Sequence, residues 1–309
     1  MANLRTGAFP LFRLAGVDVF LHWSWFAVAA WEINDRSGRY SSLVWNVSEY
    51  LALFVIVLLH EFGHSLACRQ VGGKADRIVL WPLGGVAYVN PPPRPGATLW
   101  SLAAGPLVNV ALFPILFAVV RMSRIAGMPD AMPNSFALLR AIFFTNLGLL
   151  FFNLLPIYPL DGGQILRSLL WYVMGRARSL MVATFLGFAG VAGLIALAVW
   201  LREVWFAIIS AFILLNCWNG LQHARALSRI ARLPRRTGYA CPSCRTAPPV
   251  GAIWRCSKCT HIFDTFESQA VCPLCRMQFP TTLCFDCGTA HPFSEWAGAG
   301  LTPATPLGV

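Results

Sequence analysis

Charge is what this sequence has little of. Only 12% of its 309 residues are Asp, Glu, Lys or Arg, while 57% are hydrophobic. Ordinary soluble domains carry about a quarter charged residues, so the deficit excludes a soluble globule as a description of the whole chain and points to a bilayer. Acidic residues are the scarcer kind, 13 against 24 basic ones, which leaves a formal net charge of +11. Such an excess suits nucleic acid or a membrane surface, and the placement of the basic residues decides between them. Cysteine is nearly missing before residue 240, where Cys68 and Cys217 stand alone in apolar segments and read as small buried residues. A clean signal peptide is missing too. Arg5 and Arg13 precede an apolar run, but Asp18 and His22 interrupt it, so a retained first membrane helix is expected.

The long apolar runs that remain define the architecture. A bilayer-spanning helix needs about 20 mostly apolar residues, and six candidates occur at about 17–34, 48–69, 98–121, 136–157, 180–201 and 203–220. Arg202 and Glu203 alone separate the last two, so one long bent helix is the alternative there. With six spans both ends share a side. Fourteen basic residues flank the spans there, among them Arg69, Lys74, Arg77, Arg176, Arg235 and Arg236, against six on the other side. The positive-inside rule then makes both termini cytoplasmic, at the cell (inner) membrane. Topology accounts for the basic excess, and nucleic acid is not needed. Between the second and third spans, the β-forming runs Ile78–Trp81 and Val86–Val89 flank Gly84-Gly85 and predict a small β-hairpin, with Pro82 shortening its first strand. The fold class is a multi-pass α-helical membrane protein with that hairpin and a small C-terminal zinc-ribbon domain.

The second span contains "HEFGH". His60 and His64, four residues apart on a helix, leave the same face and can bind one metal ion. Glu61 is rotated by about 100°, beside the metal without being a ligand, where it can act as a general base. Ionisable groups deep in a membrane helix are costly and signal function. A catalytic zinc site usually takes three protein ligands. The third candidate is Asp161 in "FFNLLPIYPLDGGQ", where Pro156 and Pro159 would unwind the fourth helix and Gly162-Gly163 would permit a tight turn.

"HEFGH" in a second span, followed by "NLLPIYPLDGG", resembles the site-2 protease family of intramembrane zinc metalloproteases, and "HWSW" at 22–25, "PLGGVAYV" and "AAGPLVN" at 103–109 resemble its six-span prokaryotic branch. The resemblance covers about residues 1–225. It implies a zinc endopeptidase that cleaves membrane-anchored proteins in or near their transmembrane segments, in regulated intramembrane proteolysis. His60, His64 and Asp161 would hold the zinc and Glu61 would be the base. Asn153, at the family's functional asparagine position, would bind the substrate carbonyl or the oxyanion, and Asn109 is a further substrate-binding candidate. A helical substrate must be unwound before attack, and the hairpin edge at Ile78 and Val79, with Gly84 and Gly85, could capture the unwound strand by β-addition. Where that branch often continues into a regulatory cystathionine-synthase-type domain, this chain does not.

Eight cysteines crowd into 241–287 instead, as four C-x-x-C pairs: Cys241/Cys244, Cys256/Cys259, Cys272/Cys275 and Cys284/Cys287. The pattern is typical of zinc in a reducing compartment. Taken in sequential pairs it predicts tandem zinc ribbons with two structural ions beside the catalytic one, crossed pairing being the alternative. The expected organisation is a protease core (1–225), a basic linker (226–239), the ribbons (240–293), which could recruit a cytoplasmic regulator, and a disordered tail (294–309). A non-catalytic membrane adaptor with a structural metal site is the second reading.

Overall fold

The computed structural model describes residues 7–35, 38–81 and 84–299. The chain opens with strands where a membrane helix was expected. β1 (Ala8–Leu14) pairs antiparallel with β2 (Val17–His22), and α1 (Ser24–Asp35) follows. The sequence Val-Asp-Val-Phe-Leu-His alternates with the period of a strand, and Val17, Val19 and Leu21 are its buried members. The expected span at 17–34 is therefore divided. Its helical part has 12 residues, about 18 Å of helix, well short of the roughly 30 Å hydrocarbon core.

The rest of the membrane part runs α2 (Leu43–Gln70), β3 (Lys74–Trp81), β4 (Gly84–Asn90), α3 (Pro95–Ile125), the short α4 (Met128–Ala131), α5 (Pro133–Leu154), α6 (Asp161–Leu201) and α7 (Val204–Ala231). Among the described residues, α2, α3, α5, α6 and α7 are long and apolar enough to cross a membrane. α2 is the central one: 61% of its most apolar window is buried, against 17–28% in the other four. The two spans expected after residue 180 are separate helices, and the alternative of one bent helix does not hold. Arg202 takes a left-handed conformation (φ 58°) that ends α6, and α7 starts afresh at Val204. The break inside α6 lies earlier, at Gly175 (φ 78°, ψ 172°).

The expected hairpin is present but belongs to a four-stranded sheet of order β1-β2-β3-β4, in which β2 and β3 are parallel. This corrects the placement of the free edge. β3 is hydrogen-bonded on both sides, so Ile78 and Val79, 0% and 3% exposed, offer no open edge. The open edge on the hairpin side is β4. Gly84 and Gly85 are strand residues as well: Gly84 pairs with Trp81 and Gly85 with Leu80 at the start of β4. The expectation about Pro82 lies outside the described residues. Val17, Val19, Leu21, Ile78 and Leu80 pack with Trp25 on Val57 and Phe62 of α2, and this core fixes the sheet beside the "HEFGH" turn.

The cysteine-rich part holds two small hairpins, β5 (Trp254–Arg255) with β6 (Ile262–Phe263) and β7 (Thr281–Leu283) with β8 (Ala290–Pro292), then α8 (Phe293–Ala299). The sequential pairing of cysteines is overturned. Cys241 and Cys244 meet Cys284 and Cys287, while Cys256 and Cys259 meet Cys272 and Cys275, so one site is nested within the other. The reason lies in the chain path: the outer site joins the two ends of the region, closed by Trp296 of α8, which packs with Cys241, Trp254, Phe266 and Cys284. Residues 293–299 are accordingly helical, with Trp296 buried, where a disordered tail was expected; residues 300–309 lie outside the described residues. The basic linker is also structured. α7 continues to Ala231, and Arg235 and Arg236 pair with Asp286 and Asp264 of the ribbon.

Candidate metal centre

α2 brings His60, Glu61 and His64 into the interior, each 3–6% exposed. α3 can approach because small residues face α2 there. A Cβ on Gly105 would stand 2.2 Å from His64 Nε2, and a Cβ on Gly63 would stand 2.6 Å from the Ala104 carbonyl oxygen. Close packing through small residues is how membrane helices bring backbones together. Asp161 arrives from the other side. α5 stops at Leu154, residues 155–160 form an irregular link, and Asp161 is the first residue of α6. The expected fold-back toward the histidines is therefore realised.

Asp161 Oδ2 lies 3.0 Å from His60 Nε2 and 3.2 Å from His64 Nε2, and the two Nε2 atoms are 3.1 Å apart. The far side of each ring explains this convergence. His60 Nδ1–H donates to Asn109 Oδ1 (2.6 Å), Asn109 Nδ2 donates to Asn146 Oδ1 (2.8 Å), and Asn146 Nδ2 returns to the Asn109 carbonyl (3.0 Å). His64 Nδ1–H donates to the Ser101 carbonyl (2.8 Å). With both protons committed to Nδ1, the two Nε2 lone pairs and a carboxylate oxygen face one another, an arrangement unfavourable in a buried place without a cation. The donor set fits zinc. Bonds of 2.0–2.1 Å in a tetrahedron require donor separations of about 3.3 Å, close to those found.

Glu61 is not part of this trio. Its Oε2 accepts the Ala87 amide at 2.8 Å. That amide lies on the open edge of β4. The contact depends on Gly85, where a Cβ would fall 2.3–2.5 Å from Glu61 Cγ, Cδ and Oε1. Gly84 lines a cavity of about 400 Å³ between α1, α2, α5 and α7, together with Trp25, Tyr50, Leu149, Phe152 and Trp205. A half-open, mostly apolar space thus ends at the strand that holds Glu61.

The remaining sequence candidates fall differently. Asn109 is fully buried and hydrogen-bonded to His60 and Asn146. Asn153 stands half-buried in the last turn of α5. Asn146, the Ser101 carbonyl and the Ala87 amide were missed. Only the first left a signal in the sequence, an asparagine inside an apolar span. The two backbone groups leave none.

The cysteine sites also fit zinc. Sulfur separations are 3.7 and 3.8 Å across the outer site (Cys241–Cys287, Cys244–Cys284) and 3.5 and 3.6 Å across the inner one (Cys256–Cys275, Cys259–Cys272). Zn–S bonds of 2.3 Å require about 3.8 Å.

Comparison with known proteins agrees with this geometry. A sequence profile of Peptidase family M50 matches residues 48–136 and 122–197. A zinc metalloprotease of Methanocaldococcus jannaschii is 35% identical over 177 residues, 57% of this chain and 50% of that protein. Stage IV sporulation protein FB of Bacillus subtilis is 34% identical over 128 residues, 40% of this chain and 41% of that protein. The chain thus spans about half the length of such curated relatives. The solved structure of a site-2 protease from Methanocaldococcus jannaschii superposes with a TM-score of 0.52 at 27% identity, covering 69% of this chain and 95% of that one. With "HEFGH" and Asp161 gathered at one buried point, the chain belongs to the site-2 protease family of intramembrane zinc metalloproteases.

Proposed function

We propose that the chain is an intramembrane zinc endopeptidase that hydrolyses peptide bonds in or near the transmembrane segments of membrane-anchored proteins. The observation that carries this reading is the convergence of His60 Nε2, His64 Nε2 and Asp161 Oδ2 within 3.2 Å, with Glu61 beside them on the same helix turn. A structural site has no use for Glu61, so the adaptor reading is not favoured. Zinc, which His60, His64 and Asp161 would hold, would supply Lewis acidity toward a carbonyl and toward water. Glu61 is placed to take a proton from the attacking water and to deliver it to the leaving amine. Asn109 and Ser101 keep both imidazoles in the metal-binding tautomer. Asn153 receives the substrate carbonyl, as the resemblance to the family implies.

The substrate enters as an extended segment added to the open edge of β4, next to Glu61. β-Addition supplies main-chain hydrogen bonds that an unwound helix has lost. Gly84, at the end of the apolar cavity, receives its side chains. The excess of basic residues beside the sheet and the ribbon supports a cytoplasmic position for that face, with the protein in a cell's inner membrane. The nested cysteine sites would hold two further zinc ions, and the ribbon is the surface for any cytoplasmic regulator.

The test is zinc content together with cleavage of a helical membrane substrate by wild type and Glu61→Gln. Wild type is expected to carry about three zinc ions. The variant should keep them and lose cleavage. Equal cleavage by both would remove Glu61 from the mechanism.

A further inference from the structure

The outer cysteine site lies against the membrane part of the protein. Gly288, which closes its second C-x-x-C turn, has φ +80° and no room for a side chain: a Cβ there would stand 2.7 Å from Arg176 Nη1 and 2.8 Å from Pro93 Cβ. Arg176 directly follows Gly175, so the break in α6 presents this guanidinium at the ribbon. It lies over the Trp171 ring and within electrostatic reach of Cys284 and Cys287. Among the described residues no carboxylate pairs with it, and its Nε is buried without a hydrogen-bond acceptor. A second cation backs the same site. Arg235 grips Asp286, between Cys284 and Cys287, with bonds of 2.7 and 3.0 Å, and lies within reach of Cys284 and Cys244.

Four thiolates around one divalent cation would leave a net charge of −2 facing Arg176, and the ion would tie the Cys284–Cys287 turn, which ends at Gly288, to Cys241 and Cys244. Pro93 belongs to the link between β4 and α3, and β4 carries the Ala87 amide that holds Glu61. The contact thus reaches the strand beside the catalytic base.

We propose that the outer four-cysteine site is a metal-dependent dock: loaded with zinc, it binds Arg176 at the break in α6 and seats the Gly288 turn on the β4–α3 link, and emptied, it releases the ribbon from the membrane core. The inference rests on zinc in the cysteine sites and needs no assumption about proteolysis.

The experiment is hydrogen exchange with mass spectrometry on the full chain in lipid nanodiscs, with zinc measured on each sample. Wild type is compared with Arg176→Gln, Arg176→Lys, Cys287→Ser in the outer site and Cys275→Ser in the inner site. Arg176→Gln should keep its zinc yet exchange about tenfold faster over residues 88–94 and 284–289, as expected for loss of a charge-assisted contact. Arg176→Lys should recover most of the protection. Cys287→Ser should lose one zinc and show the same two deprotected stretches. Cys275→Ser should lose one zinc and leave 88–94 protected. Wild-type protection in Arg176→Gln, or loss of protection at 88–94 in Cys275→Ser equal to that in Cys287→Ser, overturns the dock. Wild type without zinc at its cysteines overturns the dock together with the ribbon reading beneath it, whatever the core site holds.

Discussion

At the scale of single residues, the centre is a problem of proton placement. His60 can bind metal through Nε2 only while its proton stays on Nδ1, and Asn109 Oδ1, 2.6 Å away, is the acceptor that would hold it there. Asn109→Ala removes the acceptor from a fully buried position. The expected outcome is a zinc affinity at the core site lower by about 10–100-fold, the usual effect of losing a ligand's outer partner, measured by competition with a chromogenic chelator on a variant whose eight ribbon cysteines are unchanged. Asn146→Ala acts one bond further out and should cost less. Gly105→Ala should be harsher than either, because its methyl would lie 2.2 Å from His64 Nε2; metal analysis should find the core site empty and both cysteine sites full. The three residues that converge, His60, His64 and Asp161, were legible in the sequence. Two histidines at helical spacing and one carboxylate after a proline-broken span are rare in an apolar chain, and their scarcity made them readable. The partners of the ligands were not legible, because Asn109 and Asn146 meet His60 across three helices. Nothing in the local pattern of "AAGPLVN" separates an asparagine that orients a ligand from one that touches substrate.

At the scale of elements, the sequence reading went astray where two periodicities compete. Residues 17–34 are apolar enough for a span, yet Val17, Val19 and Leu21 alternate with Asp18, Phe20 and His22, and the pairing of β2 with β3 used that alternation. Parallel pairing between distant segments leaves no trace in either one alone, so the edge of the hairpin was assigned to the wrong strand. The consequence can be tested. Val79→Pro would only blunt an edge strand; in the interior strand β3 it breaks a ladder and should destabilise the protein. The edge test belongs to β4, where Gly85 lets the strand approach Glu61. Gly85→Ala places a carbon 2.3 Å from Glu61 Cγ, so either the base or the strand must shift. Displacement of a catalytic group by about 1 Å can cost on the order of 10²-fold in rate. The expected result is a fall in kcat of that size with zinc content unchanged, measured by single-turnover cleavage in nanodiscs. A fall in zinc content instead would mean that the strand supports the ligands as well as the base.

At the scale of the whole molecule, two parts reach stability by different physics. The membrane helices satisfy their backbone groups internally and have no alternative in lipid. The ribbon has only two small clusters to bury, one around Trp254, Phe266 and Trp296 and one around Phe263. Regions below about 70 residues seldom build enough core and need metal or another staple. The paired cysteines showed the need for metal, but not which pairs share an ion, since C-x-x-C spacing fixes only the two thiols of one turn. The nested arrangement makes the outer site the clasp between the ends of the ribbon. Chelation at neutral pH should therefore unfold residues 240–299 while the membrane part stays helical. Far-UV circular dichroism at 222 nm would hold nearly constant, and the fluorescence of Trp254 and Trp296, both buried in the outer cluster, would shift to the red. Because those two signals share the chain with ten other tryptophans, the comparison is with a Trp254→Phe/Trp296→Phe variant, whose spectrum should barely respond. Loss of helical signal in step with metal removal would show instead that ribbon and membrane core unfold as one cooperative unit, which a single contact at Gly288, Arg176 and Pro93 is too small to enforce.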